Sequence, residues 1–212
     1  MLIDLIKANR SYRGYDRGRK VTKDELWAMA EAARWCPSSV NIQPLKYFLA
    51  CTPDIVSLIQ SETRWAKGLK DITLPHPGKE PPAFIVICQD TDIDPNLSRF
   101  QRDVGIAAQT MLLTAVEMGL GGCMIGNFNA GSLHDKLGLA DNLMPLLIVA
   151  VSGNSPPHIS TLSTKARIAI MRGLKTTHHL PPGSMEASVS KMSSTASMLP
   201  DANASVAFRM SP

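Results

Sequence analysis

Two arginines flank a hydroxyl near the start of the chain, at Arg10, Ser11 and Arg13. Guanidinium groups bind phosphate oxygens through paired hydrogen bonds, and a serine hydroxyl can add a further donor. We interpret this tetrad as a candidate phosphate clamp. A solvated basic turn can have the same sequence, so the tetrad taken alone leaves both interpretations open.

A polar segment bracketed by Pro37 and Pro44 follows an apolar helical pattern. Its hydroxyls and side-chain amides belong to Ser38, Ser39, Asn41 and Gln43. Amides both donate and accept, so they match the pyrimidine edge of a flavin, where carbonyl acceptors alternate with an N–H donor. The prolines stiffen the loop and lower the entropy cost of a preorganised site. The alternative is an ordinary polar connection.

A third candidate is the glycine-rich segment 119–126, which follows the longest helical pattern. Glycines such as Gly122 and Gly126 allow the backbone to approach a ligand closely. The segment differs from a dinucleotide fingerprint, because its glycines follow a helix and precede a strand. A helix end with a tight turn is the simpler alternative.

Other chemistry is poorly supported. The four cysteines lack metal-ligand spacing and the histidines have no partners at such spacing, so we expect no metal site. A net charge of +4 without a basic stripe argues against nucleic acid. No apolar run approaches the ~18 residues of a membrane span. Free thiols then favour a cytoplasmic protein.

The elements that would position these segments can be predicted from periodicity. Thr22 and Glu25 form a capping-box pattern that opens a helix ended by Pro37. Residues 83–88 form a continuous apolar run, typical of a central strand buried on both faces. The helix predicted over residues 103–119 is apolar nearly all round, so we expect it to be buried, with a dimer interface as one source of cover. The further predictions are helices near residues 2–8, 54–60 and 132–137, and strands over 45–51, 123–125 and 146–151.

The composition changes from about Ser152. The remaining chain is rich in Ser, Met, Thr and Pro, and it holds only two acidic residues and one aromatic residue. Residues 179–212 have no usable periodicity, which predicts disorder. We therefore expect a domain over residues 1–151 and an atypical tail over 152–212. One hypothesis for the tail is a slip of reading frame near Ser152.

Together these segments resemble the FMN-dependent nitroreductase family. The resemblance rests on the order and spacing of residues 10–13, 32–44, 103–109 and 119–123, and it covers about residues 1–151. It implies an α+β, three-layer fold with a central mixed sheet flanked by helices. It also implies a homodimer with one FMN in each of two clefts at the interface.

The resemblance also assigns roles to particular residues. The FMN phosphate and ribityl chain would be held by Arg10, Ser11 and Arg13. The partner subunit would reach the flavin with Pro37, Ser38, Ser39 and Asn41, with Gln43 nearby. The flavin's N5 side would lie against the turn after Gly122, with Met124, Ile125 and Gly126. The family usually needs no protein acid or base at the flavin, so we expect no catalytic side chain.

The activity implied by the resemblance is a ping-pong reaction. NADH or NADPH would give a hydride to flavin N5, and an electron-poor small molecule such as a nitroaromatic or a quinone would then accept it. Two alternatives stay open at this point. One is a flavin-binding or sequestering protein with little turnover, and the other is a chain made inactive by its tail.

Overall fold

A computed structural model describes residues 1–65 and 74–153, and these residues form five α-helices and four β-strands. In chain order they are α1 (Leu2–Ala8), α2 (Lys23–Ala33), β1 (Leu45–Ala50), α3 (Pro53–Glu62), β2 (Ala83–Asp90), α4 (Gln101–Glu117), β3 (Leu120–Ile125), α5 (Ala130–Leu137) and β4 (Leu143–Gly153). A 3-10 turn at Ser39–Asn41 precedes β1. The expected tail lies outside the described residues from residue 154 onward, and β4 includes Ser152 and Gly153.

The four strands form one sheet in the order β1-β2-β4-β3. All three neighbouring pairs are antiparallel: β1 with β2, β2 with β4, and β4 with β3. The prediction of a mixed sheet is therefore wrong for the described residues, whose four strands pair only antiparallel. Within these residues, parallel pairing occurs in one isolated bridge, between Ser11 and Gly122.

Strand β2 forms the centre of two hydrophobic cores, as its continuous apolar run predicts. Alternate side chains of a strand point to opposite faces of the sheet. One core contains Ala83, Ile85 and Ile87, and the other contains Phe84, Val86 and Cys88. All six residues are at most 1% exposed.

Helices cover both faces of the sheet. The core on one face includes residues of α2 and α4, such as Met29 and Met111, and the core on the other includes residues of α3 and α5, such as Ile59 and Leu133. The α+β class and the three helix–sheet–helix layers are thus confirmed. Among the described residues, no helix combines the length and the apolar character needed to cross a bilayer.

Helix α4 is buried on one side only, in contrast to the all-round burial that its composition predicts. The buried stripe consists of Asp103, Val104, Ala107, Ala108, Met111, Leu112 and Ala115. The opposite side is exposed at Gly105, Ile106 and Gln109. The difference arises because the described part of one chain covers a single side of this helix.

Candidate functional site

The candidate phosphate clamp lies along the edge strand β3. Ser11 forms a parallel bridge with Gly122, and the backbone N–H of Tyr12 donates to the Gly122 carbonyl at 3.0 Å. The fold thereby brings two of the three candidate segments together. The candidate clamp is held to β3 through backbone groups, so this attachment does not use the Arg10 and Arg13 side chains.

The hydroxyls of two tyrosines, Tyr12 and Tyr15, hold the backbone around the candidate clamp through hydrogen bonds. The Tyr12 hydroxyl donates to the carbonyl of Ala8 at 2.9 Å, and the Tyr15 hydroxyl donates to the carbonyl of Tyr12 at 2.6 Å. Tyr15 is 1% exposed and stands edge-on to Trp65, with ring centroids 6.0 Å apart. Burial raises the pKa of Tyr15 well above its ordinary value, so the hydroxyl stays a donor.

Gly121 and Gly122 allow other parts of the same chain to pack closely against β3. A Cβ at Gly121 would lie 2.7 Å from the Tyr12 ring, and one at Gly122 would lie 2.3 Å from the Ala150 carbonyl oxygen. Both glycines are buried, whereas Gly126 is exposed, and a Cβ there would meet nothing closer than 4.0 Å. Of these three glycines, Gly126 is the one that leaves open space for a ligand.

The remaining candidates on β3 differ in access. Met124 is half-buried, while Ile125 is 5% exposed and belongs to the core. Between them and the clamp lies Cys123, which is 3% exposed. Burial raises the pKa of the Cys123 thiol, against the opposing effects of the Arg13 charge and a hydrogen bond from Ser11. Cys123 therefore stays a thiol, a packing residue and not a nucleophile.

The clamp arginines have no counterion in the part of the chain that is described. Arg17 and Arg19, which follow them, pair with Glu80 and Glu25. Within residues 1–65 and 74–153, neither Arg10 nor Arg13 forms such a pair. Arg10 is exposed and Arg13 is half-buried beside Cys123. Two guanidinium groups without a carboxylate partner among the described residues, on a loop held by backbone hydrogen bonds, are a candidate site for an anion.

The second candidate loop is tied to the start of helix α4. One carboxylate oxygen of Asp103, Oδ2, accepts from the Ser38 hydroxyl at 2.7 Å and from the Ser39 N–H at 2.9 Å. The Ser38 hydroxyl also accepts from the Gln43 N–H at 3.0 Å. Ser38 is thus already engaged within its own chain, and its contact with a flavin stays a prediction.

The backbone of this loop adopts an uncommon conformation. Val40, Asn41 and Gln43 have φ values of 48°, 56° and 54°, in the left-handed region. For a β-branched residue such as Val40 this costs roughly 1–3 kcal/mol. Val40 is also 75% exposed, so its own packing does not offset the strain. Bonds elsewhere in the loop must hold the shape.

The loop presents two amides to solvent. Gln43 Nε2 donates to Asn41 Oδ1 at 2.9 Å, which fixes the two side chains against each other. In the described residues, Asn41 Nδ2 and Gln43 Oε1 then have no partner, and neither does the hydroxyl of Ser39. The unpaired groups are a donor beside an acceptor, with a hydroxyl nearby, while Pro37 is exposed at the start of the loop.

The two candidate regions lie at diagonally opposite corners of the sheet. Gly122 aligns with Val151 and Ala83 at one end of the ladder, whereas Leu45, next to the loop, aligns with Gln89 at the other. With ordinary strand spacings, the corners are roughly 14 Å apart across the sheet and about 20 Å apart along it. One copy of the chain therefore separates its phosphate clamp from its amide loop.

Asp103 is the residue whose role the sequence analysis missed. It lies on the buried stripe of α4, four residues before Ala107, and it is 6% exposed. A carboxylate in an apolar stripe requires partners that satisfy it. An acidic residue at a position where the helical pattern predicts an apolar one is the sequence signal that could have indicated the role of Asp103. In residues 1–65 and 74–153, no group of three or more His, Cys, Asp or Glu side chains could hold a metal ion.

The sequence profile of the nitroreductase family matches residues 6–153. The chain therefore belongs to the nitroreductase family. A relative from Methanothermobacter thermautotrophicus, provisionally named NADH dehydrogenase/NAD(P)H nitroreductase, is 26% identical over 125 residues. The match covers 59% of this chain and 60% of that relative.

Solved structures agree with this fold. A nitroreductase family protein from Clostridium novyi NT superposes with a TM-score of 0.60 at 20% identity, covering 72% of this chain and 86% of that one. A structure described as an FMN-dependent nitroreductase, from Clostridium difficile R20291, gives 0.59 at 22% identity and covers 73% and 88%. At these identities the likeness shows the fold alone.

Proposed function

We propose that the protein is an FMN-dependent oxidoreductase that passes a hydride from NADH or NADPH to an electron-poor small molecule, such as a nitroaromatic or a quinone. Membership of the nitroreductase family supports the reaction class. The cofactor is supported by the Clostridium difficile structure, which is described as FMN-dependent, and the donor by the NAD(P)H in the name of the Methanothermobacter relative.

The observation that carries the proposal is the pair of guanidinium groups at Arg10 and Arg13, which have no carboxylate partner in residues 1–65 and 74–153. They are held beside β3 by the bridge between Ser11 and Gly122. A phosphate monoester carries close to two negative charges and three acceptor oxygens, which fits two arginines and a serine hydroxyl. The donor set thus fits the phosphate end of FMN.

The amide loop fits the other end of the same cofactor. Asn41 Nδ2 is a donor and Gln43 Oε1 is an acceptor, and Ser39 adds a hydroxyl beside them. The pyrimidine edge of a flavin alternates carbonyl oxygens with one N–H, so this set of groups matches it. When bound, the flavin would supply the redox chemistry, and the chain's own residues would hold and orient it.

A homodimer would bring these two regions together. In a two-fold dimer the same patch meets itself, so the loop of one copy can lie beside the clamp of the other. Exposed apolar side chains support this arrangement: Ile106 on α4 is 40% exposed, and Trp35, which precedes the loop, is 85% exposed. Helix α1 adds Leu2, Ile3 and Ile6, and Met1 precedes it. Helix α1 packs against α4, and Cys36, next to Trp35, contacts Thr110 on α4, so these apolar side chains lie near one another, as at an interface.

The absorption spectrum of the purified full-length chain tests the proposal. We expect a band near ~450 nm, which belongs to oxidised flavin and bleaches on anaerobic addition of NADH or NADPH. Menadione or a nitrofuran should then restore the band and support steady-state oxidation of the donor. A colourless protein that does not take up added FMN would refute the proposed function.

The same experiment separates enzyme from binding protein. A flavin band that bleaches slowly, without turnover on either acceptor, would favour a flavin-binding or sequestering protein. Fast bleaching with turnover on both acceptors would favour the enzyme. The comparison needs the Arg10→Ala protein as a matched control, because loss of colour in that variant ties the band to the clamp.

A further inference from the structure

The carboxylate of Asp103 is buried. It is 6% exposed, and among the described residues no Lys, Arg or His side chain pairs with it. A buried charge needs compensation, and here hydrogen bonds from Ser38 and Ser39 supply it. Both bonds end on Oδ2 and both come from the loop that precedes β1. The charge therefore binds the loop to helix α4.

The bonds continue from Asp103 to the far end of the loop. The Gln43 N–H donates to the Ser38 hydroxyl, and the Ser38 hydroxyl donates to Asp103. The Ser39 N–H donates to the same carboxylate. The first of these bonds closes residues 38–43 into a ring, and the other two attach that ring to one carboxylate oxygen on α4. A hydroxyl that donates to an ionised carboxylate is also a better acceptor, so the bonds strengthen one another.

The ring encloses the three left-handed residues of the loop, Val40, Asn41 and Gln43. Such a conformation persists only where surrounding contacts over-determine it. The backbone bond from Asn41 N–H to the Ser38 carbonyl, at 2.9 Å, forms a single turn within the ring. The link to Asp103 is what connects that turn to the rigid part of the fold.

We propose that Asp103 is a positioning residue for the cofactor: through Ser38 it fixes the spacing and direction of the Asn41 and Gln43 amides that face the flavin ring. Ser38 acts as a strut between Asp103 and Gln43, and Ser39 and the two amides make the direct contacts. This inference rests on the proposed function for its ligand. The geometry of the loop does not depend on it.

A simpler role for Asp103 would be to stabilise the first turn of α4 by its charge. That role requires a carboxylate near the helix start, and any bond to the loop would be incidental to it. The two roles predict that a substitution of Asp103 changes different parts of the structure. A helix-stabilising charge affects α4 and global stability, whereas a positioning residue affects the amides of residues 39 and 43.

Hydrogen exchange on the flavin-free, full-length protein tests the proposal without a ligand. We expect Asp103→Ala to speed exchange of the Ser39 amide by roughly tenfold or more, because that amide loses a hydrogen bond to a charged group, and to speed exchange of the Gln43 amide because Ser38 loses its attachment to α4. Asp103→Asn keeps a carbonyl acceptor and should rescue part of the protection. Ser38→Ala should expose the Gln43 amide and leave the Ser39 amide protected.

A matched control is Asp94→Asn. Asp94 is also a nearly buried carboxylate, 9% exposed, and it accepts from Arg99 at 2.7 Å and from the Asn96 N–H at 2.8 Å. It has no hydrogen bond to residues 38–43. This control should lower global stability and leave the relative protection of the loop amides unchanged. Should Asp103→Ala not fold, Ser38→Ala and Asp103→Asn decide the question.

Flavin binding gives a second readout. Loss of the strut should weaken binding of FMN by about tenfold to a hundredfold and change the visible circular dichroism of the bound flavin. Unchanged loop exchange in Asp103→Asn and Ser38→Ala would overturn the proposal, even if FMN binds. If the wild-type protein binds no FMN, the proposed function fails, and the exchange data still decide whether Asp103 holds the loop.

Discussion

The backbone N–H of Tyr12 donates to the carbonyl oxygen of Gly122 at 3.0 Å, which joins two segments that are 110 positions apart in the chain. The contact requires that Gly121 lacks a side chain, because a Cβ there would collide with the Tyr12 ring, whereas a Cβ at Gly122 would collide with Ala150 of β4 and Leu112 of α4. Gly121 thus permits the candidate clamp to pack on β3, and Gly122 permits β3 to pack against β4 and α4. The role of these two glycines is therefore to allow close packing.

Gly122→Ala should destabilise the fold. The added Cβ would lie 2.3 Å from the Ala150 carbonyl oxygen and 2.6 Å from Leu112 Cδ2, so either β3 or β4 must shift. We expect a loss of about 1–3 kcal/mol in the free energy of unfolding, measured by urea denaturation. Gly126→Ala is the control, because its nearest neighbour would be 4.0 Å away. Equal effects of the two substitutions would contradict this account.

Arg10→Ala and Arg13→Ala should each weaken FMN binding by about 1.5–3 kcal/mol, the usual size for a hydrogen bond to a charged group. Riboflavin lacks the phosphate, so its affinity should stay the same in both variants. Arg17→Ala is a suitable control, because Arg17 pairs with Glu80 at 3.4 Å and is not part of the proposed clamp. Flavin fluorescence titration measures all three. Equal losses for FMN and riboflavin would argue against a phosphate clamp.

Ile106→Arg should convert the proposed dimer to monomers. Ile106 is 40% exposed on α4, so an arginine there is tolerated by a single chain and opposed by a packed interface. Ala108 is a poor choice for this test, because it is 0% exposed in its own core. Sedimentation velocity provides the readout, with Ile93→Arg as a control at 43% exposure. A dimeric Ile106→Arg protein would exclude this face of α4 from the interface.

His134 should make stability depend on pH above 6.5. Its pKa is raised from the ordinary 6.5, chiefly by the hydrogen bond to Asp135 and then by the Ala140 carbonyl. The folded chain therefore binds the proton more tightly than the unfolded chain does. Its stabilising contribution is complete below pH 6.5 and is lost as the pH rises through the folded pKa.

Urea denaturation across this pH range checks the expectation. In the wild-type protein the free energy of unfolding should fall as the pH rises above 6.5, and His134→Gln should remove that part of the slope. His76→Gln serves as a control, because the His76 side chain has no hydrogen-bond partner among the residues described. A slope that survives in His134→Gln would assign the pH dependence to another group.

Local patterns predicted most of the secondary structure. The capping box at Thr22 is present: the Thr22 hydroxyl accepts from the Glu25 N–H at 3.2 Å, and Glu25 accepts from the Thr22 N–H at 2.8 Å. The apolar run at residues 83–88 is a central strand with both faces buried. These features depend on residues a few positions apart, which is why the sequence is sufficient to find them.

Features that depend on distant residues were not predictable. Asp103 meets Ser38 across 65 positions of sequence, and nothing in the local pattern near Ser38 indicates which carboxylate will reach it. The same holds for Gly122, whose neighbours Ala150 and Tyr12 come from opposite ends of the described domain. The sequence could indicate that each residue was unusual, but not which partner would explain it.

The central position of β2 has an evolutionary consequence. Both of its faces and both of its edges are occupied by the chain itself, so substitutions there meet packing constraints on every side. The clamp and the amide loop lie beside the outer strands β3 and β1, where a change touches fewer neighbours. The middle of the sheet therefore tolerates fewer substitutions than its margins, while the fold is shared with a Clostridium novyi structure at only 20% identity.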